Sequence, residues 1–257
     1  MSNPAPASKI VTAAVLIIGN EILSGRTKDA NLPYLAVELD KIGVRLMEAR
    51  VVADIGERIV EAVNALRHRY DYVFTTGGIG PTHDDITAEN IAKAFGVPLL
   101  RHPEAVRILA RQYKDPRDLN EARLRMANVP EGGVLIDNPV SAAPGFRIGN
   151  VLVMAGVPSI MQAMFQGVKH SLVGGAPVRS RTVSTNLPEG KIAQGLSALQ
   201  DKHSDIEIGS YPFYRLGKFG VSLVLRGVEL GAVDRTADEL KAMLIELGGE
   251  ILDDANG

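Results

Sequence analysis

The chain has 257 residues, enough for one large domain or for a main domain with a smaller one. Lys plus Arg number 28 against 30 Asp plus Glu, a net charge of −2, so no general electrostatic pull draws the protein to nucleic acid or to an anionic membrane. The absence of cysteine excludes disulfides, thiolate metal sites and a cysteine nucleophile, and is compatible with a cytoplasmic location.

Residues 1–9, M-S-N-P-A-P-A-S-K, carry neither the basic nor the apolar segment of a secretory signal and read as a disordered tail; no later apolar run reaches 18 residues. A soluble cytoplasmic protein is expected. Thr12–Ile18 is an unbroken apolar run of strand length, as in a central parallel strand covered on both faces. The loop Gly19–Gly25 follows. Leu32, Leu35, Ala36, Leu39 and Ile42 then recur at helical spacing until Gly43. Val44–Ala53 is strand-like, and Asp54 stands where an N-cap would start a helix with Ile59, Ala62, Val63 and Leu66 on its inner face. Tyr72–Thr75 forms a third strand. Beyond it, the segments Pro103–Tyr113 and Asp118–Met126 read as surface helices whose arginines form a solvated face. Phe146–Met154 suggests a hairpin about Gly149-Asn150, and Ser159 to about His170 a helix.

This alternation implies βαβ units: a three-layer α/β/α domain over residues 10–176 with a mostly parallel sheet. Gly174-Gly175-Ala176-Pro177 marks a boundary. Residues 177–257 then read as strand, helix, strand, strand, helix, strand, a small α+β domain of βαββαβ order with its helices on one sheet face. Its aromatics Tyr211, Phe213, Tyr214 and Phe219 have the spacing of core and turn packing; a base-stacking surface is the alternative.

Ligands of parallel α/β sheets bind beyond the carboxyl ends of the strands. Three loops qualify: Gly19–Gly25, the turn at Asp54, and Thr76–Asp85. In the last, Gly77, Gly78 and Gly80 permit a sharp turn and close approach to a ligand. The helix expected beyond Pro81, with Ala88, Ile91, Ala92 and Phe95 inward, begins near Asp84 and Asp85. Two readings stand for these acids. They cap the helix, stabilising it by roughly 0.5–2 kcal/mol, or they belong to a phosphate site in which a divalent cation bridges carboxylate and phosphate oxygens. His83, beside them, could touch a phosphate, act as acid or base, or make a loop hydrogen bond. Asp54 and Glu21 sit on the same rim as further carboxylates. The glycine run lacks the third glycine of a dinucleotide fingerprint, and neither a P-loop nor a G-x-S-x-G elbow is present. The five histidines show no zinc spacing.

The stretch T-T-G-G-I-G-P-T-H-D-D-I-T at Thr75–Thr87 resembles the signature of the molybdopterin-binding domain in its competence/damage-inducible protein A branch, shared with the N-terminal domain of eukaryotic FAD synthase. G-N-E-I-L-S-G at Gly19, D-A-N at Asp29, A-P-G-F at Ala143 and A-G-V-P-S at Ala155 follow the family's order, over roughly residues 10–170. The resemblance implies that Asp85 is the essential acid and Asp54 the second acid, that Asp85 with Asp54 or Glu21 holds Mg2+, and that Gly77, Gly78 and Gly80 face a phosphate. Thr76, Glu21, Ser141, Pro144 and Gly145 complete the ligand-facing set. Asn20, Ser141, Ala155 and Ile160 stand where the family usually has Asp, Gly, Pro and Glu. The remaining length leaves no room for the nicotinamide-nucleotide deamidase or adenylyl-transferring domains of longer relatives, so those activities are not expected.

The activity implied is Mg2+-dependent pyrophosphohydrolysis of ADP-ribose or FAD. The alternatives are adenylyl transfer to molybdopterin and a non-catalytic module binding molybdopterin or a nucleotide. The expected partners are a small-molecule ligand and further copies of the chain, with no nucleic acid and no membrane.

Overall fold

The computed structural model describes residues 10–113, 115–215 and 218–252, so the expected tail 1–9 lies outside the described residues. The chain divides after Gly175 into two compact units.

In the first unit, β1 (Val11–Ile18), α1 (Asn20–Leu23), α2 (Asn31–Lys41), β2 (Val44–Val52), α3 (Gly56–Arg67), β3 (Tyr72–Thr76) and α4 (Thr87–Phe95) follow the expected alternation. Then come β4 (Leu99–Arg101), α5 (Pro103–Ala110), α6 (Glu121–Leu124), β5 (Asn128–Pro130), β6 (Val134–Ile136), β7 (Gly145–Ile148), β8 (Val151–Met154) and α7 (Pro158–Val168). The main sheet has the order β2-β1-β3-β8-β7-β6, parallel as far as β8 and antiparallel beyond it. Alternate residues of β1 serve opposite faces. Val15 and Ile17 pack with Leu35 and Leu39 of α2 and Phe165 of α7, whereas Leu16 and Ile18 pack with Ile59 and Leu66 of α3 and Ile91 of α4. A strand buried on both faces needs apolar residues at every position, which is why β1 reads as a continuous run. Each fully buried large side chain of this kind contributes roughly 1.5–3 kcal/mol.

The segment expected as one helix over Asp118–Met126 is broken. It forms a single α-turn, α6, flanked by 3₁₀ turns at Pro116–Asp118 and Arg125–Ala127. Asn120 caps α6 by accepting from the Arg123 N–H, and the chain must then leave the helix so that Asn128–Pro130 can pair with Leu99–Arg101. This pairing sets the position of Arg125, which matters below.

The second unit contains β9 (Arg179–Thr185), α8 (Glu189–Lys202), β10 (Glu207–Arg215), β11 (Lys218–Gly227), α9 (Leu230–Glu246) and β12 (Ile251–Leu252). Its antiparallel sheet has the order β10-β11-β9-β12. Val221, Leu223 and Leu225, alternate residues of β11, pack on Ile192 and Leu199 of α8 and Val233, Leu240 and Leu244 of α9. Tyr211, Tyr214 and Phe219 lie exposed on the β10–β11 hairpin, with the Tyr214 and Phe219 rings 4.5 Å apart. These three are therefore surface residues rather than core. Among the described residues, no helix is long and apolar enough to cross a membrane.

Candidate functional site

The site is built where β3 ends. Gly77 has φ 104°, and a Cβ there would lie 2.1 Å from the carbonyl oxygen of Ile18, so only glycine can make this crossing of the β1 terminus. The Gly77 N–H donates to Met154 O at 3.2 Å, which ties the turn to β8. Gly78, at φ 66°, turns the chain back towards α4. There Thr87 closes the turn twice: its Oγ1 donates to Gly77 O and its N–H to Gly78 O, both at 3.0 Å. The N–H groups of Gly78, Ile79 and Gly80 donate no hydrogen bond to any of the described residues. Successive backbone N–H groups without protein acceptors, next to a positive-φ glycine, are the kind of donors that anion-binding turns use.

Asp85 lies next to them. Gly80 leaves the space for its carboxylate, since a Cβ there would lie 2.6 Å from Oδ2. That oxygen accepts from the Thr82 N–H at 2.8 Å and from Thr82 Oγ1 at 2.5 Å. The capping alternative is not what the chain builds. Helix α4 starts at Thr87, its N-terminal flanking residue is Ile86, and no side chain caps it. The His83 side chain is exposed to solvent and stands 4.0 Å from Asp84.

Gly78, Gly80, Asp85 and Pro144 line one cavity of about 90 Å³ together with Arg125 and Asn128. Sequence reasoning missed the last two. Arg125 is half-buried rather than on a solvated face, and its Nη2 donates to the backbone oxygen of Asp85 at 3.5 Å. Glu89 also borders the cavity, but its carboxylate pairs with Lys93 at 2.7 Å, one helical turn along.

Glu21 and Thr76 line a different, smaller cleft of about 50 Å³, with Lys28, Asp29, Asn31 and Gly156. Asn31 Nδ2 donates to Gly156 O at 2.8 Å, which orients the amide and leaves Oδ1 without a partner among the described residues. Thr76 Oγ1 is likewise buried without a partner among them. Asp29 Oδ2 accepts from the Leu32 N–H in the first turn of α2 at 2.8 Å.

Asp54 lines neither cavity. Its expected role as the cap of α3 is also not met: Ile55 precedes that helix and no side chain caps it. Asp54 Oδ2 instead accepts from the Asn20 N–H at 2.8 Å and, with Gly19 N–H donating to Val52 O, fastens the loop carrying Glu21 to the end of β2. Ser141 belongs to a turn organised by Asn138, whose Nδ2 donates to Ser141 Oγ and whose Oδ1 accepts from the Ser141 N–H. Gly145 is packed within β7, where a Cβ would lie 2.2 Å from Val153 O. Ser141 and Gly145 line neither cavity. Among the described residues, no three His, Asp or Glu side chains form a metal-ligating cluster.

Residues 14–174 match the family described as "Probable molybdopterin binding domain". A solved protein described as CinA with unknown function, from Thermoplasma acidophilum, is 34% identical, with a TM-score of 0.59 over 62% of this chain and 96% of that one. The chain belongs to the molybdopterin-binding domain family, in its CinA-like branch. A protein of Archaeoglobus fulgidus is 36% identical over 198 residues, 77% of this chain and 84% of that protein. A probable FAD synthase of Caenorhabditis briggsae is 30% identical over 268 residues, and the match spans 93% of this chain but 51% of that protein. The second unit contributes to this likeness, since residues 177–248 match a family described as "FAD synthase, middle domain".

Proposed function

We propose that this CinA-like domain binds the diphosphate of an adenosine-linked small molecule, ADP-ribose or FAD, in the Asp85 cavity and hydrolyses it with Mg2+. The observation that carries this reading is the run of three free N–H groups, Gly78 to Gly80, opening beside a carboxylate. These donors match the non-bridging oxygens of a phosphate and would stabilise charge developing there as the bond breaks. Water adds to phosphorus and the bridging P–O bond cleaves, giving AMP and ribose 5-phosphate from ADP-ribose, or AMP and FMN from FAD. Thr82 holds one oxygen of Asp85 and leaves Oδ1 open to a cation. A single carboxylate fits Mg2+, an ion bound through one or two carboxylates together with waters and substrate phosphates. When bound through Asp85, it would offset phosphate charge and polarise the reacting phosphorus. Asp54 contributes to this reading by holding the Asn20 loop through its bond to the Asn20 N–H.

The second cleft favours a second reading, adenylyl transfer to molybdopterin. Asn31 Oδ1 and Thr76 Oγ1 are buried oxygens without partners next to Glu21, a set suited to a ring that presents N–H donors. The deciding experiment incubates the protein and Mg2+ separately with ADP-ribose, with FAD, and with molybdopterin plus ATP, following AMP and adenylylated pterin, with Asp85→Asn as control. AMP released from ADP-ribose or FAD and lost in the variant supports hydrolysis. AMP release unaffected by the variant removes Asp85 from the site. Ligand binding by calorimetry with no product in any arm identifies a non-catalytic module.

A further inference from the structure

We propose that Arg125 is the anion-selecting residue of the Asp85 cavity, its guanidinium gripping the non-bridging oxygens of the ligand's diphosphate. This rests on the reading above that the cavity takes phosphate.

Six arginines lie between residues 101 and 125, and their environments differ. Arg101 pairs with Glu121, Arg107 with Glu104 and Arg117 with Asp115. Arg123 donates to Asp118 O and stacks over the Tyr113 ring at 4.5 Å, while Arg111 is exposed. Arg125 is the exception: half-buried, facing a cavity, and with no carboxylate within 4.0 Å among the described residues. Among the described residues its guanidinium makes one hydrogen bond, to Asp85 O, long at 3.5 Å. A guanidinium has five N–H donors in a planar fork, so most of its bonding capacity remains open to the cavity.

The backbone that carries it is fixed. The Asn128 N–H donates to Arg125 O, Ala127 is fully buried and accepts from the His102 N–H at 2.8 Å, and β5 pairs with β4 immediately afterwards. The scaffold thus holds a cation against a cavity whose other charged groups are Asp85 and the Glu89–Lys93 pair. A phosphate entering beside Asp85 meets like charge. Arg125 offsets it, and its fork matches two oxygens of one phosphate or one oxygen from each of two. The cavity would then discriminate by phosphate content, accepting the diphosphate ester and giving the bare nucleoside little hold.

Calorimetry with the full chain in Mg2+ tests this, using adenosine, AMP and the non-hydrolysable α,β-methylene analogue of ADP against wild type, Arg125→Lys, Arg125→Gln and Arg125→Ala, with circular dichroism to establish folding. Charge-assisted hydrogen bonds of this kind predict a loss of about tenfold to a hundredfold for the analogue in the Gln and Ala variants. The Lys variant should recover part of that loss, AMP should lose less, and adenosine should be unaffected. Equal affinity of wild type and all variants for the analogue would overturn the role of Arg125 while leaving a phosphate site standing. A parallel loss for adenosine would also overturn it, by showing a structural role. Failure of wild type to bind the analogue at all would remove the phosphate reading itself. Should the Ala variant not fold, the Lys-against-Gln comparison decides.

Discussion

The Asp85 cavity and the Glu21 cleft adjoin the same glycine turn yet carry opposite hydrogen-bonding character. The first offers donors: three backbone N–H groups and a guanidinium beside the Asp85 carboxylate, with Glu89 already paired to Lys93. The second offers acceptors: the Asn31 amide oxygen, the Thr76 hydroxyl and the Glu21 carboxylate, with Lys28 at its edge. A ligand with an anionic part and an N–H-bearing ring would therefore be sorted by its two ends. The division follows from the turn itself. Thr76 lines the acceptor cleft, Gly78 lines the donor cavity, and Gly77 is the residue at which the chain crosses from one to the other.

The most damaging way to break this division is Gly77→Ala. A methyl group 2.1 Å from Ile18 O, at φ 104°, cannot be accommodated without moving β1 against β3. Urea unfolding should show a loss of about 3 kcal/mol or more, in the range of severe backbone substitutions. Asp85→Asn keeps the shape and removes the charge from the donor cavity alone. AMP production should fall by at least about a hundredfold, as for loss of a principal electrostatic group, with thermal stability close to wild type. The acceptor cleft is probed by the double substitution Asn31→Ala, Thr76→Val. Affinity for the α,β-methylene ADP analogue should stay within about twofold, whereas affinity for a pterin should fall about tenfold on loss of two hydrogen bonds. A drop for the ADP analogue instead would show that the two cavities act as one.

The smallest effect concerns acid. Glu38 of α2 accepts from Lys169, Lys41 and Gln166, so these bonds hold its pKa down to about 2 from 4.5. A carboxyl depressed on folding stabilises the protein above pH 4.5, and that contribution is lost as pH falls from 4.5 through about 2. Because Glu38 ties α2, which begins with Asn31, to the end of α7, this loss falls on the acceptor side. Melting temperature should decline through this window more steeply for wild type than for Glu38→Gln.

Much of this was legible in the chain. β1 and the helices α2 to α4 follow from local periodicity, and the glycines of the turn from their own backbone freedom. The order of elements in the second unit was equally readable, because strand and helix periods alternate cleanly there. What local pattern could not supply was partnership over distance. Asp54 has the spacing of a cap, but its acceptor is used by Asn20, 34 residues away. Arg125 looks like one arginine among several until β4–β5 pairing carries it to Asp85, 40 residues earlier. Asp85 was singled out by its resemblance to a family signature, whereas its bonds to Thr82 were not foreseen. Gly145 lies in the A-P-G-F block and Ser141 stands where the family usually has Gly; the structure bonds Ser141 Oγ to Asn138 and packs Gly145 within β7.

Thr87 gives the turn a kinetic consequence. Because its hydroxyl and amide both bond the Gly77–Gly78 backbone, the first residue of α4 cannot form its native contacts until the turn has closed. Turn and helix should open as one cooperative unit, so the Thr87 amide and those of α4 should exchange with deuterium at a shared rate. A phosphate held by the Gly78–Gly80 amides should slow that exchange along the whole helix, well beyond the atoms it touches.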